Sequence, residues 1–206
     1  MTPEEAYALW APDYPPRPHN RLMAVEQAAV TDLLPDLRGL TVLDAGCGTG
    51  RYLRLCAERG ATAIGVDLSA AMLSHARHES LRLVRGRLLA LPLDTMSVDA
   101  VVCGLALGDV AELDVAIAEF ARVLRPGGTL VYSMVHPDGA GEGWTRTFES
   151  GGRVFAINSH WHTRDEHRQA CASSGFTIDG WCEPALEEKP EQPVALVVRA
   201  RIVGRR

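Results

Sequence analysis

Thr41-Val42-Leu43-Asp44-Ala45-Gly46-Cys47-Gly48-Thr49-Gly50 is the stretch that decides the fold. Its first half is apolar and β-branched, as in a strand buried on both faces. Its second half places glycine at alternate positions before Arg51-Tyr52-Leu53 opens a helical pattern. Glycines at such a turn let the backbone take positive φ and let a ligand reach the main chain without a Cβ in the way. In open parallel sheets, ligands sit at the carboxyl ends of strands, above turns of this kind. Further on, Ala63-Ile64-Gly65-Val66-Asp67 reads as a second strand tipped by a carboxylate. A glycine turn paired with such an acid is a nucleoside-binding arrangement.

Working outward, strand and helix patterns alternate. Leu22, Val25, Ala29 and Leu33 fall at helical spacing over 21–34, so a helix precedes the first strand. Leu53, Cys56 and Ala57 mark a helix that Gly60 stops, and Ser69 caps another whose inner face holds Met72, Leu73 and Ala76. Strands are expected at 81–85, 99–103 and 129–135, with a helix through Leu113, Ile117, Phe120 and Leu124 that Pro126-Gly127-Gly128 ends. Thr163-Arg164-Asp165-Glu166 is a capping box opening a helix that Gly175 closes. Two strands, 176–182 and 194–202, follow as an antiparallel pair joined by a proline- and glutamate-rich loop. Such alternation predicts an α/β fold with a mostly parallel sheet and helices on both faces.

The remaining stretches differ in character. Residues 1–20 carry five prolines interleaved with Tyr7, Trp10 and Tyr14. Proline denies regular structure beyond a short first helix while the aromatics want burial, so this segment packs on the body or folds over a ligand. Residues 137–159 are glycine-rich and hold Trp144, Phe148 and Phe155. We expect one domain over 1–206: an N-terminal helical or lid segment at 1–38, a ligand-binding core at 39–135, and an acceptor-side segment with the closing strands at 136–206.

With 206 residues and 47% apolar content, the chain suits one globular α/β domain. A net charge of −5 argues against a large phosphate-tracking surface, so no nucleic-acid partner is expected. The basic stretch Arg199, Arg201, Arg205 and Arg206 reads as a solvated last strand and tail. No apolar run reaches the roughly 18 residues of a membrane span, and no apolar signal core follows Met1. Cys47, Cys56, Cys103, Cys171 and Cys182 are scattered without Cys-x-x-Cys spacing, which fits reduced thiols in a cytoplasmic protein. A monomer or homodimer is expected.

Four stretches in order then carry a resemblance: 42–50; Gly65-Val66-Asp67-Leu68-Ser69 with Met72; Leu91-Pro92 before Ser97-Val98-Asp99; and Arg122-Val123-Leu124-Arg125-Pro126-Gly127-Gly128. With them the chain resembles the class I S-adenosylmethionine-dependent methyltransferases, within the UbiE/BioC-like, or type 11, group. The resemblance implies a Rossmann-like, seven-stranded sheet with an antiparallel last strand, and S-adenosyl-L-methionine as cofactor. It also implies methyl transfer to a small-molecule acceptor, by O-, N- or C-methylation. A malonyl-carrier-protein-type carboxyl methyltransferase and a non-catalytic cofactor-binding protein are the alternatives. A nicotinamide oxidoreductase would prefer Gly-x-Gly-x-x-Gly and a Tyr-x-x-x-Lys pair, which this chain lacks.

By the same resemblance, Asp67 takes the ribose diol, with Leu68 beside it. Asp44, Ala45, Gly46, Cys47, Gly48 and Gly50 form the turn beneath the methionine tail. Asp44 either favours the cationic end of the cofactor or stabilises the turn as a buried acceptor, and Cys47 is a small loop residue. Met72 packs on adenine or in the core. The group's Gly-Asp after the third strand is Gly86-Arg87 here, which shifts adenine recognition to the main chain near Leu88. Cys103 and Gly104 face the tail through their backbone. The group's histidine near Gly108-Asp109 is missing.

An acceptor that arrives protonated needs a base. His136, directly after the fifth strand, is the best placed, with a structural role as the alternative; His160, His162, His19 and Tyr14 are the others. Tyr7, Trp10, Tyr14, His19, Trp144 and His160 are the candidate acceptor contacts, and Arg146 and Arg153 either pair with an acidic acceptor or lie on the surface. His136, His160, His162, His167 and Cys182 lack the compact spacing of a metal site, so no metal is expected.

Overall fold

A computed structural model describes residues 1–76 and 81–203; the tail arginines 205 and 206 lie outside them. The chain opens with helices α1 (Pro3–Trp10) and α2 (Arg21–Leu33), capped by Thr2 and Asn20. Then β1 (Thr41–Ala45), α3 (Arg51–Glu58), β2 (Thr62–Asp67), α4 (Ala70–Ala76), β3 (Arg82–Arg85), β4 (Val98–Gly104), α5 (Leu113–Val123) and β5 (Leu124–Val135) follow in alternation. The last third holds β6 (Thr147–Ser150), β7 (Arg153–Ala156), α6 (Arg164–Ser173), β8 (Phe176–Cys182), β9 (Ala185–Leu186), β10 (Lys189–Pro193) and β11 (Ala195–Ile202).

Seven strands form one sheet in the order β3-β2-β1-β4-β5-β11-β8, in which only β11 runs antiparallel to its neighbours. The seven-stranded, mostly parallel sheet with an antiparallel last strand is the expected fold. Because side chains alternate along a strand, Leu43, Ala45, Val101, Cys103, Leu130 and Tyr132 feed one core under α5 and α6. Val42, Ala100, Val102 and Val131 feed a second core under α2 and α3. Strand order reverses between β1 and β4, and the crevice of an open sheet lies at such a switch.

Three details depart from the expected elements. Strand β5 begins at Leu124, with an irregular register between Val98↔Leu124 and Ala100↔Thr129 that absorbs Pro126-Gly127-Gly128. Residues 147–156, in the glycine-rich stretch to which the sequence pattern assigns no element, form a hairpin turning at Gly151-Gly152 with φ of 58° and 73°. Glycine pairs suit such two-residue turns. The proline- and glutamate-rich link also pairs as a hairpin, β9 with β10, and Glu188 within it pairs with Arg21 of α2. Arg199 and Arg201 pair with Asp179 on the adjacent β8.

Beneath the sheet's switch point lies a buried charged network. Glu26 of α2 has no exposed surface and accepts hydrogen bonds from Arg51 (2.8 Å), the Tyr52 hydroxyl (2.7 Å) and the Ser133 hydroxyl. Gly104 makes room for it: a Cβ there would lie 2.2 Å from the Tyr52 ring. Gly104→Ala therefore pushes Tyr52 off Glu26, and we expect a loss of about 1–3 kcal/mol, the usual cost of overpacking. Urea denaturation at neutral pH checks it; an unchanged midpoint would show that the ring moves freely.

Candidate functional site

The carboxyl ends of β1, β2 and β4 open on a cavity of about 700 Å³, within the roughly 300–1,000 Å³ range of small-molecule sites. Its floor is the glycine turn. Gly46, Gly48 and Gly50 have φ of 74°, 54° and 88°, and Gly46 lies so close to Ala106 that a Cβ would sit 2.6 Å from it. Asp67 clamps this turn: Oδ2 accepts from the Gly48 amide and Oδ1 from the Ser69 amide, both at 2.8 Å. Burial raises the Asp67 pKa, and the Ser69 and Gly48 amides work in the opposite direction.

Asp44 is 2% exposed, and its Oδ2 has no hydrogen-bond partner. Thr49 Oγ1 is likewise buried and unpaired. Burial lifts the Asp44 pKa to about 7, although the Leu53 amide and Arg51 favour its charged form. Arg51 itself lines the cavity, and its bonds to Glu26, Gln27 and Tyr52 all leave from Nη1. Met72, Leu68 and Leu88 supply apolar wall, and Arg87 stands exposed at the rim.

The outer half is aromatic. Tyr7, Trp10, Tyr14, Trp144 and Trp161 line it. Trp10 stacks on Phe148 of β6 at 4.9 Å between centroids, so the N-terminal segment and the hairpin roof the cavity through a small apolar cluster of their own. Tyr7 donates to Asp109 Oδ2 at 2.9 Å. Arg146 pairs with Asp109 and donates to the Tyr7 hydroxyl at 2.7 Å. Burial raises the pKa of Tyr7 well above its ordinary value, so the hydroxyl stays a donor.

Several residues singled out in the sequence lie elsewhere. His136 does not line the cavity. Val135 does, and strand alternation turns the next side chain away. The His136 ring is fully buried against Arg164, Asp138 and Glu183, with Nε2 3.1 Å from an Arg164 nitrogen and Nδ1 accepting from the Asp138 amide. Burial lowers its pKa. His19 is exposed and edges against Tyr14 and Trp10 outside the cavity. His160 is exposed and borders only a small adjoining hollow, while the His162 ring bonds the Val110 carbonyl. Ala45, Gly50 and Cys103 are buried behind the lining, whereas Gly104 and Leu105 reach it. Burial pushes the Cys47 thiol well up, and the side chain packs beside Gly65.

Sequence reasoning missed Asp109, Glu26 and the cavity position of Arg146. Arg153 is exposed over Phe155 and does not line the cavity. A buried glutamate inside the apolar face of α2 was the one readable signal.

A doubly wound sheet with a glycine turn, a clamping carboxylate and a cavity at the switch point defines a nucleoside-binding Rossmann-like protein. Comparison with known proteins narrows this. A family model described as a methyltransferase domain matches residues 43–132. A malonyl-[acyl-carrier protein] O-methyltransferase of Enterobacter lignolyticus is 36% identical over 135 residues, covering 65% of this chain and 53% of that protein. A Haemophilus influenzae protein named as uncharacterized is 30% identical, with 87% of each chain covered. The crystal structure of an S-adenosylmethionine-dependent methyltransferase from Mesorhizobium loti superposes with a TM-score of 0.75 at 27% identity, covering 86% of this chain and 97% of that one. This chain spans about half the length of the malonyl-carrier relatives it matches. It belongs to the class I S-adenosylmethionine-dependent methyltransferases, in the type 11 group.

The raised pKa of Asp44 has a stability consequence. The folded, ligand-free protein holds a proton on Asp44 up to about pH 7, and the unfolded chain releases it near pH 4, about the usual carboxyl value. Between those values the folded state binds more protons, so this group's contribution falls as pH rises through 7. Asp44→Asn should therefore melt higher than wild type at pH 8, with the gap closing towards pH 4. Thermal melts across that range check it; a gap that does not change with pH would contradict the assignment.

Proposed function

We propose that this chain transfers a methyl group from S-adenosyl-L-methionine to a small-molecule acceptor held in the outer half of the cavity. One observation carries the reading: the unpartnered, buried Oδ2 of Asp44 beside a left-handed glycine turn. A buried acceptor without a donor costs roughly 1–3 kcal/mol, and more when charged, so a native site of this kind is built for a donor that arrives with a ligand. The cofactor's ammonium group is such a donor, and its positive charge would hold Asp44 ionised. Nη2 and Nε of Arg51 are available for the carboxylate of the same tail. Asp67 has used one acceptor site on each oxygen, which leaves lone pairs for a ribose diol. Leu68, Met72 and Leu88 offer apolar surface to adenine.

When bound, the cofactor supplies an electrophilic methyl on a cationic sulfur. The chain's task is then alignment and exclusion of water, for which the aromatic roof is suited. The five free cysteines support a reducing, cytoplasmic setting. Among the described residues no helix is long and apolar enough to cross a membrane. The name of the malonyl-carrier relatives favours a second reading, carboxyl methylation of a malonyl thioester, but their similarity concentrates in part of the chain.

Calorimetric titration with S-adenosylhomocysteine tests the cofactor reading, with NADH as control. Wild type should bind the first and not the second. Charge-assisted hydrogen bonds contribute about 1.5–3 kcal/mol each, so Asp67→Ala should weaken S-adenosylhomocysteine at least tenfold. Heat with NADH alone would refute the proposal, as would an Asp67→Ala protein that is folded and binds unchanged.

A further inference from the structure

One polar cluster in the cavity is left unused by the cofactor reading. Asp109, on the turn after β4, accepts from Tyr7 of α1 on Oδ2 and from Arg146 on Oδ1, while Arg146 also donates to the Tyr7 hydroxyl. The Asp109 and Arg146 side chains are only 13% and 18% exposed, so solvent and salt screen the pair weakly. Burial works against the Arg146 charge, and Tyr7 and Asp109 more than offset it.

The guanidinium is therefore already matched. A carboxylate ligand reaching Arg146 would also meet Asp109, a like charge in a poorly screened enclosure. The other cavity arginines offer no substitute: Arg51 is held by the fully buried Glu26 and, in the cofactor reading, its remaining nitrogens are taken by the carboxylate of the methionine tail, while Arg87 stands exposed beside Leu88. Asp109, by contrast, keeps acceptor capacity. A carboxylate has about four lone-pair sites, and two are taken here. A ligand O–H or N–H can supply a third donor, and the aromatic wall suits a flat apolar body.

We propose that the Tyr7–Asp109–Arg146 cluster selects a neutral methyl acceptor, a planar apolar molecule presenting a hydroxyl or amine N–H to Asp109, and rejects carboxylate acceptors. This inference rests on the methyltransferase reading and departs from the malonyl acceptor in the relatives' name.

The test uses the full chain saturated with S-adenosylhomocysteine and titrated at pH 7 with 2-naphthol and 2-naphthoate, which match in size. Naphthol should bind at least tenfold tighter. In Asp109→Asn the Arg146 charge is left unmatched, and naphthoate should gain at least tenfold and overtake naphthol. In Arg146→Gln, Asp109 stands alone, and naphthoate binding should disappear while naphthol is retained. A wild type that prefers naphthoate, takes both equally or takes neither overturns the inference. So does an unmoved ratio in both variants. These outcomes are read only with S-adenosylhomocysteine bound; a chain that takes up none of it refutes the underlying reading instead, and this one with it.

Discussion

The hydrogen bond from the Gly48 amide to Asp67 Oδ2 is the contact on which the site depends. It joins the turn after β1 to the end of β2, and the Ser69 bond to the other oxygen fixes the start of α4. Within the turn, the Gly48 amide is spent on Asp67 and those of Gly46, Cys47 and Gly50 on backbone carbonyls, while Asp44 Oδ2 stays unsatisfied. Two neighbouring strands thus end in acids of different circumstance, one with a backbone amide on each oxygen and one with an oxygen that has no donor. Parallel pairing of β1 with β2 brings them together, with Asp44 opposite Gly65 and Ala45 opposite Val66.

The roof depends on contacts of a different kind. Ala6, Phe148 and Ile157, with Tyr7, Trp10 and Phe155 packed around them, form an apolar cluster separate from the two cores that sandwich the sheet. Its members come from residues 6–10 and 148–157, and the polar link from Tyr7 to Asp109 spans 102 positions of sequence. The cavity's roof is therefore held by contacts distant in sequence, unlike the local patterns that mark the strands and helices.

That distinction explains what could be read from the sequence. The sheet and its helices were legible because each leaves a local mark: an apolar run for β1 and β4, a 3.6-residue period for α5, the capping box of Thr163 and Glu166 for α6. The glycine turn and Asp67 were legible for the same reason. The hairpin at 147–156 had a local mark too, Gly151-Gly152 between alternating side chains, which glycine richness obscured. His136 was misjudged because proximity to a strand end says nothing about which face the side chain takes; one residue of phase separates Val135 in the cavity from His136 behind it. Asp109 and Arg146 look like ordinary surface charges until the fold sets them against Tyr7. No local pattern encodes that meeting.

The charges inside the cavity can be summed as pairs. Glu26 cancels Arg51 and Asp109 cancels Arg146, each by direct contact. Glu4 pairs with Arg85, and what remains of the charged lining is Asp44 and Asp67, with Arg87 exposed. An enclosure of low polarity with two uncancelled acids attracts a cation and repels anions, and the field strengthens as water leaves. A cationic sulfur nucleoside bearing a zwitterionic tail has a net positive charge, so it complements this interior as a whole as well as contact by contact. Its arrival also changes Asp44, which without it is poised near neutrality by burial alone. The pairing of Arg51 with Glu26 and of Arg146 with Asp109 thus leaves two acids to set the sign of the inner site.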